Sequence, residues 1–250
     1  MRRDELVSWL DGFLNISGIP DVSKNGLQVE GAPEVNLVGA AVDASLKTFQ
    51  DAIERGVDFL IVHHGLFWGE YEPVVGPHKR RLETLLSAGT SLYAAHLPLD
   101  VHPEVGNNAV LARELGLAEL SPFGEYHGVS VGLKGRFPVA QRLHDIADRI
   151  GQLTGMQALV HQGGSDLVKT AAVVTGSGSS LIPQAAREGL DLLITGEPKH
   201  AAFHLPFEWG INVLYAGHYD TEVFGVKALA ERIKAEFGLP WVFLDHPTGL

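Results

Sequence analysis

The sequence predicts an α/β protein of two similar α/β domains, each a mixed sheet with helices on its faces. Three observations lead there. Short apolar runs of strand length alternate with amphipathic stretches of helical period. One such α/β unit is written twice along the chain. Several of the apolar runs end in histidine, which puts polar chemistry beyond strand ends, where folds of this class carry their sites.

The repeat orders the elements. Ala40-Ala41-Val42 to Gly56-Val57-Asp58-Phe59-Leu60-Ile61 recurs 133 residues later as Val173-Val174-Thr175 to Gly189-Leu190-Asp191-Leu192-Leu193-Ile194. Each copy reads strand, small polar turn, amphipathic helix, Gly-apolar-Asp, buried strand. Upstream, residues 6–14 predict an amphipathic helix and residues 139–150 its counterpart. Short strands follow at 27–29, after an Asn25-Gly26 turn, and at 159–161. Downstream, Leu92-Tyr93-Ala94-Ala95-His96 matches Leu214-Tyr215-Ala216-Gly217-His218. The offset there is 122, so the first copy carries about eleven extra residues, placed between 68 and 82. Helices are expected at 107–115 and 222–237, the latter with Thr221 as its N-cap. The duplication sets the domains at 1–122 and 123–250, with the C-terminal segment free to pack back on the first, and the site in the cleft between them.

Composition excludes several chemistries. The chain has 250 residues and no cysteine, which removes disulfides, thiolate metal sites, iron–sulfur clusters and cysteine nucleophiles. A metal must then take His, Asp, Glu and water, a set that suits zinc, manganese, iron, cobalt or nickel alike. The formal net charge of -11 disfavours nucleic acid, and the compact basic cluster Lys79-Arg80-Arg81 reads as a helix start. No apolar run is long enough to span a membrane and the first residues lack a leader-like apolar stretch, so the expected location is cytoplasmic.

The chemistry concentrates in a few residues. Residues 58–65, Asp-Phe-Leu-Ile-Val-His-His-Gly, end a buried run in the adjacent histidines His63 and His64. Neighbouring side chains on a strand point to opposite faces, so such a pair hints at two ions; a satisfied core histidine is the plainer alternative. A carboxylate follows each later histidine at the same spacing, His96 to Asp100 and His218 to Glu222. Either carboxylate could bridge two ions, or serve as a helix cap or dipole partner. His96 reads equally as ligand, outer hydrogen-bond partner or proton shuttle. Thr175-Gly176-Ser177-Gly178-Ser179-Ser180 is a weak candidate for phosphate contact: Leu181 stands where a dinucleotide fingerprint has its third glycine, and the phosphate-loop lysine is missing. His200 and His204 have helical spacing without the metalloprotease glutamate. His78, His102, His127, His144, His161 and His246 lack any such context, and no Gly-x-Ser-x-Gly elbow supports a serine nucleophile.

These words, in order along nearly the whole chain, resemble the Nif-three-like family, also described as GTP cyclohydrolase I type 2 homologues. They are Lys24-Asn25-Gly26-Leu27-Gln28-Val29-Glu30-Gly31, Val62-His63-His64-Gly65, His96-Leu97-Pro98-Leu99-Asp100, Gly106-Asn107-Asn108, Thr195-Gly196-Glu197, and Gly217-His218 with Thr221-Glu222. The resemblance implies a dinuclear centre of two divalent ions with ligands His63, His64, Asp100, His218 and Glu222, and His96 close by. It implies a homohexamer in the short bacterial form, without an inserted domain. The activity expected is that of a hydrolase, metal-activated hydroxide attacking a nucleotide or related small substrate, with His96 and Glu197 moving protons. The alternative is a non-catalytic metal-binding or adaptor protein, a metallochaperone or scaffold.

Overall fold

Each half of the repeat folds around its own sheet. The structure, a computed structural model, describes residues 1–70, 72–126 and 128–250. One compact unit comprises Met1–Gly106 and Gly225–His246, the other Asn107–Phe224 and Pro247–Leu250.

The first unit runs α1 (Arg3–Phe13), β1 (Gly26–Val29), β2 (Val38–Asp43), α2 (Leu46–Glu54), β3 (Phe59–His64), α3 (Gly76–Ala88), β4 (Ser91–Ala94) and the single turn α4 (Leu97–Asp100). The second runs α5 (Asn107–Glu114), β5 (Ala118–Tyr126), β6 (Val129–Arg142), α6 (Leu143–Thr154), β7 (Leu159–Gln162), β8 (Leu167–Val174), α7 (Ile182–Arg187), β9 (Leu192–Thr195), α8 (Leu205–Trp209) and β10 (Asn212–Tyr215). Helix α9 (His218–Phe237) starts in the second unit, and β11 (Trp241–Phe243) closes the first sheet.

The sheets repeat one another. The order β1-β4-β3-β2-β11 in the first has β7-β10-β9-β8 as its counterpart in the second, continued by β6 and β5. In both, the leading short strand is antiparallel and the next three are mutually parallel. The Gly-apolar-Asp word has the same use twice. Gly56 and Gly189 turn the chain at φ 72° and 71°. Asp58 Oδ2 then accepts the amides of Asn36 and Leu37 at 2.8 and 3.0 Å. Asp191 Oδ2 accepts those of Lys169 and Thr170 at 2.9 and 2.8 Å. The receiving residues are themselves one repeat apart, so the duplication reaches individual hydrogen bonds.

Alternation along the central strands builds a core on each side of each sheet. Ala40, Phe59, Ile61 and Tyr93 face α1 and the later part of α9, whereas Ala41, Leu60, Val62 and Leu92 face α2 and α3. In the second unit Ala171, Val173, Leu192 and Ile194 meet α5 and α6, and Ala172, Val174 and Leu193 meet α7. Full burial of one such Leu or Ile is worth about 1.5–3 kcal/mol, so every central strand is anchored on both faces.

Three expectations change, and one hairpin is added. Residues 139–142 are strand, not helix. Pairing of Gln141 and Arg142 with Val168 and Leu167 carries β6 to Arg142, and the helix starts at Leu143, where the buried face of Leu143, Ile146 and Ile150 begins. The β5–β6 hairpin lay unread, because its residues are too exposed for a clean apolar alternation. Helix α9 begins at His218 rather than Glu222. The unit division falls after Gly106, not at 122, because Leu111, Ala112, Leu115 and Leu117 belong to a second-unit core. Among the described residues, no helix is long and apolar enough to cross a membrane.

Candidate metal centre

In the first unit the donors sit where the parallel strands end. Strand β3 pairs with β4 as far as Val62↔Ala94, so His63 and His64 lie beyond the last β4 pair. Freed from that ladder, the two rings converge instead of opposing each other. Their centroids are 4.8 Å apart, and each lies within 6 Å of the His96 ring, at 5.1 and 5.7 Å. One ring nitrogen from each of His63, His64 and His96 lies within 4.8 Å of the others, a spacing that could hold one metal ion. Strand alternation therefore does not keep the pair from a common ion.

Hydrogen bonds fix the tautomers. His63 Nδ1 is 2.9 Å from the Ala95 carbonyl, which can only accept. His64 Nδ1 is 2.8 Å from Asp43 Oδ1, and His96 Nδ1 is 3.0 Å from Asp21 Oδ2. All three rings thus donate from Nδ1, which leaves the lone pair on Nε2, the form a metal-binding imidazole needs. Asp100, 8% exposed on α4, brings Oδ2 to 3.5 Å from His63 Nε2. Its turn requires Gly106, where a Cβ would lie 2.3 Å from the His102 carbonyl and 2.8 Å from that of Asp100. His102 knits the same turn: Nε2 donates to the Phe13 carbonyl, while Nδ1 accepts the amides of Glu104 and Val105. Burial accordingly pushes His102 below its usual pKa.

In the second unit His218 opens α9 and Glu222 stands one turn on, so their spacing is helical. His218 Nε2 is 3.2 Å from Glu222 Oε1, and Nδ1 is 3.0 Å from Glu197 Oε2 on the loop after β9. The hydrogen bond to Glu222 raises His218 to about 9 against the opposing effect of burial, with Glu197 adding to it. The floor of this pair is a glycine by necessity. A Cβ on Gly176, at φ 65°, would lie 2.2 Å from Glu222 Oε1 and 3.1 Å from His218 Nε2. Gly196 is as constrained, since its Cβ would lie 2.7 Å from His218 Cα.

One reading near this pair is corrected. Thr221 does not cap α9: its Oγ1 accepts the Gly176 amide at 3.0 Å and donates to the His218 carbonyl. In the Thr175–Ser180 stretch three backbone amides already have side-chain acceptors. Thr175 N donates to Asn108 Oδ1, Gly176 N to Thr221 and Gly178 N to Thr195 Oγ1.

The structure therefore gathers His63, His64, His96 and Asp100 in one unit, and His218, Glu222 and Glu197 in the other. Asp21 and Asp43 escaped the sequence reading, and Gly176 was read there only as part of a phosphate-contact candidate. A carboxylate ending β2 in register with His64 was the one available sign of Asp43. His200 opens a 3-10 turn and His204 follows it, and among the described residues neither joins a group of three donors. His127 lies outside the described residues.

A family model described as Duf34/NIF3 (NGG1p interacting factor 3) matches residues 1–248. The chain belongs to the NIF3 family. A relative from Deinococcus radiodurans, a "GTP cyclohydrolase 1 type 2 homolog", is 54% identical across 99% of this chain and 94% of its own. The crystal structure of TTHA1606 from Thermus thermophilus superposes with a TM-score of 0.94 at 62% identity, covering all of both chains. Protein ybgI, described as of unknown function, gives 0.92 at 37% identity, again over both full chains. The NIF3 assignment thus agrees with the fold and with donor groups that could hold metal.

Proposed function

We propose that this NIF3 protein is a metal-dependent hydrolase of a nucleotide or related small substrate, with two divalent ions per chain held by His63, His64, Asp100, His218 and Glu222. The observation that carries the reading is the common tautomer of the convergent His63 and His64, each donating from Nδ1 and keeping Nε2 basic. Metal-ligating histidines almost always donate their other ring N–H to a carboxylate or a backbone carbonyl, as both of these do. The nitrogen and oxygen donor set fits borderline divalent ions.

Bound ions of this kind lower the pKa of water and supply hydroxide at neutral pH. The protein's residues do the rest. Asp43 and the Ala95 carbonyl hold the His64 and His63 rings in their binding orientation. Asp100 and Glu222, 8% and 3% exposed, bring buried negative charge that favours cations. Glu197 holds His218 through Nδ1, a narrower task than moving protons. His96 is the remaining imidazole, and its Nε2 takes up and returns the reaction's proton. The name of the relatives supports a nucleotide as the substrate class. A cytoplasmic homohexamer accompanies this reading, and sedimentation velocity tests its assembly.

The test is a panel of nucleoside mono- and triphosphates, GTP included, with zinc- or manganese-loaded protein. Turnover lost in both His64→Ala and Glu222→Ala supports the proposal. No turnover above those variants on any nucleotide, with two ions retained per chain, would favour the non-catalytic metal-binding protein.

A further inference from the structure

We infer that Asp21 is the positioning residue of His96, locking its imidazole, beside the His63 and His64 rings, with Nδ1 protonated and Nε2 as proton acceptor. The inference deepens the hydrolase reading, and its first test stands apart from activity.

The geometry around Asp21 is that of a built site. Its side chain is 2% exposed. Both carboxylate oxygens reach His96 Nδ1, at 3.1 and 3.0 Å. The same carboxylate accepts the Leu97 amide at 3.0 Å, the Ser23 amide at 3.1 Å and Asn25 Nδ2 at 2.8 Å. Every one of these partners donates, so the carboxylate is ionised and can receive from His96 but never give to it. Asn25 completes the clamp, its Oδ1 accepting the His96 amide at 2.8 Å. Side chain and backbone of one histidine are thus held by residues four apart in one loop.

The ring is also wedged. Trp68 meets it edge-on at 5.0 Å and His63 lies 5.1 Å away on a tilted plane. Trp68 is itself anchored, its Nε1 donating to the Gly65 carbonyl at 2.9 Å, and the Gly69 amide ties that turn to Val22. A plain structural role for Asp21 would need only the Ser23, Asn25 and Leu97 bonds that shape the loop. The bifurcated contact to Nδ1 goes beyond that, because it selects which nitrogen carries the proton. A carboxylate used in this way fixes tautomer and orientation and stabilises the imidazolium once Nε2 has taken a proton.

Protein labelled with 15N-histidine, assigned by comparison with His96→Gln, reads the tautomer directly from two-bond 1H–15N correlations. The expected wild-type pattern for His96 is a protonated Nδ1 and a bare Nε2. A protonated Nε2 in folded wild-type protein overturns the inference without any variant of Asp21. In Asp21→Asn, whose amide cannot accept at both positions, the His96 pattern moves toward the Nε2-protonated form. An unmoved pattern in that variant, shown folded by its unchanged remaining histidine signals, also overturns it. Zinc stoichiometry is expected to hold in Asp21→Asn and His96→Gln; zinc lost from His96→Gln would make His96 a ligand and overturn its role as acceptor. If the nucleotide panel gives turnover, both variants lower kcat with little change in KM, and the double variant is no worse than either alone. If the panel gives none, the hydrolase reading fails and the tautomer result still decides the role of Asp21.

Discussion

Replacing Gly176 with alanine perturbs the second donor pair without altering a donor. The added Cβ would sit 2.2 Å from Glu222 Oε1, whereas real Cβ contacts essentially never fall below 3.0 Å. The carboxylate must retreat by most of an ångström, and at 3% exposure it has no water to swing into. His218 Nε2, 3.1 Å from the same Cβ, is squeezed as well. Two effects follow. The left-handed backbone at φ 65° costs about 1–2 kcal/mol for alanine, read as a lower unfolding free energy in urea. The displaced carboxylate weakens ion binding by about 10–100-fold, the range seen when support around a metal ligand is lost. Zinc titration calorimetry on protein stripped with chelator measures the second effect, and the His218 pKa by NMR falls from about 9 toward its ordinary value as Glu222 withdraws. Wild-type zinc affinity and an unmoved His218, with only the stability loss, would refute Gly176 as the floor of a metal pair.

Further outcomes can be checked. Burial pushes Asp21 up, but hydrogen bonds from His96, Asn25 and Ser23 outweigh it and hold the carboxyl at about 2. A depressed pKa stabilises above the unfolded value near 4 and ceases to do so as pH falls toward 2. Asp21→Asn therefore removes about 2 kcal/mol at pH 6, and the gap from wild type closes by pH 2 in urea titrations. Asp58→Ala releases the Asn36 and Leu37 amides ahead of β2 and is expected to cost about 2 kcal/mol, whereas Asp191→Ala releases two β8 amides and the Thr170 hydroxyl and is expected to cost more, about 3 kcal/mol, both read as lower unfolding free energy in urea. Tyr93→Phe removes the 2.8 Å bond from the buried hydroxyl to Asp11 and should lower stability by about 1–2 kcal/mol, seen as a lower urea midpoint with unchanged slope.

Much of the fold was legible because local and global preferences agree in the repeated core. Runs such as Phe59-Leu60-Ile61-Val62 are buried on both sides, so apolarity alone marks them as central strands. Legibility fails where pairing overrules the local pattern. Residues 139–142 contain an exposed Val139 and no periodicity that separates strand from helix, and only the ladder to β8 decides them. The start of α9 was missed because Gly217, at φ 88°, turns the chain one residue before His218, and a glycine does not announce which side of it the helix begins.

By itself the sequence determined the duplicated α/β plan, the absence of thiol chemistry and the histidines and carboxylates worth watching. Those follow from residue type and spacing, which are linear properties. Only the tertiary structure decided that His63 and His64 converge, that Asp43 and Asp21 set the tautomers of His64 and His96, and that Gly176 is the one residue small enough beneath Glu222. Each of these joins groups far apart in the chain, from 21 residues for Asp43 and His64 to 75 for Asp21 and His96. A hydrogen bond of that reach depends on where strands end and how they register, and no local pattern records it.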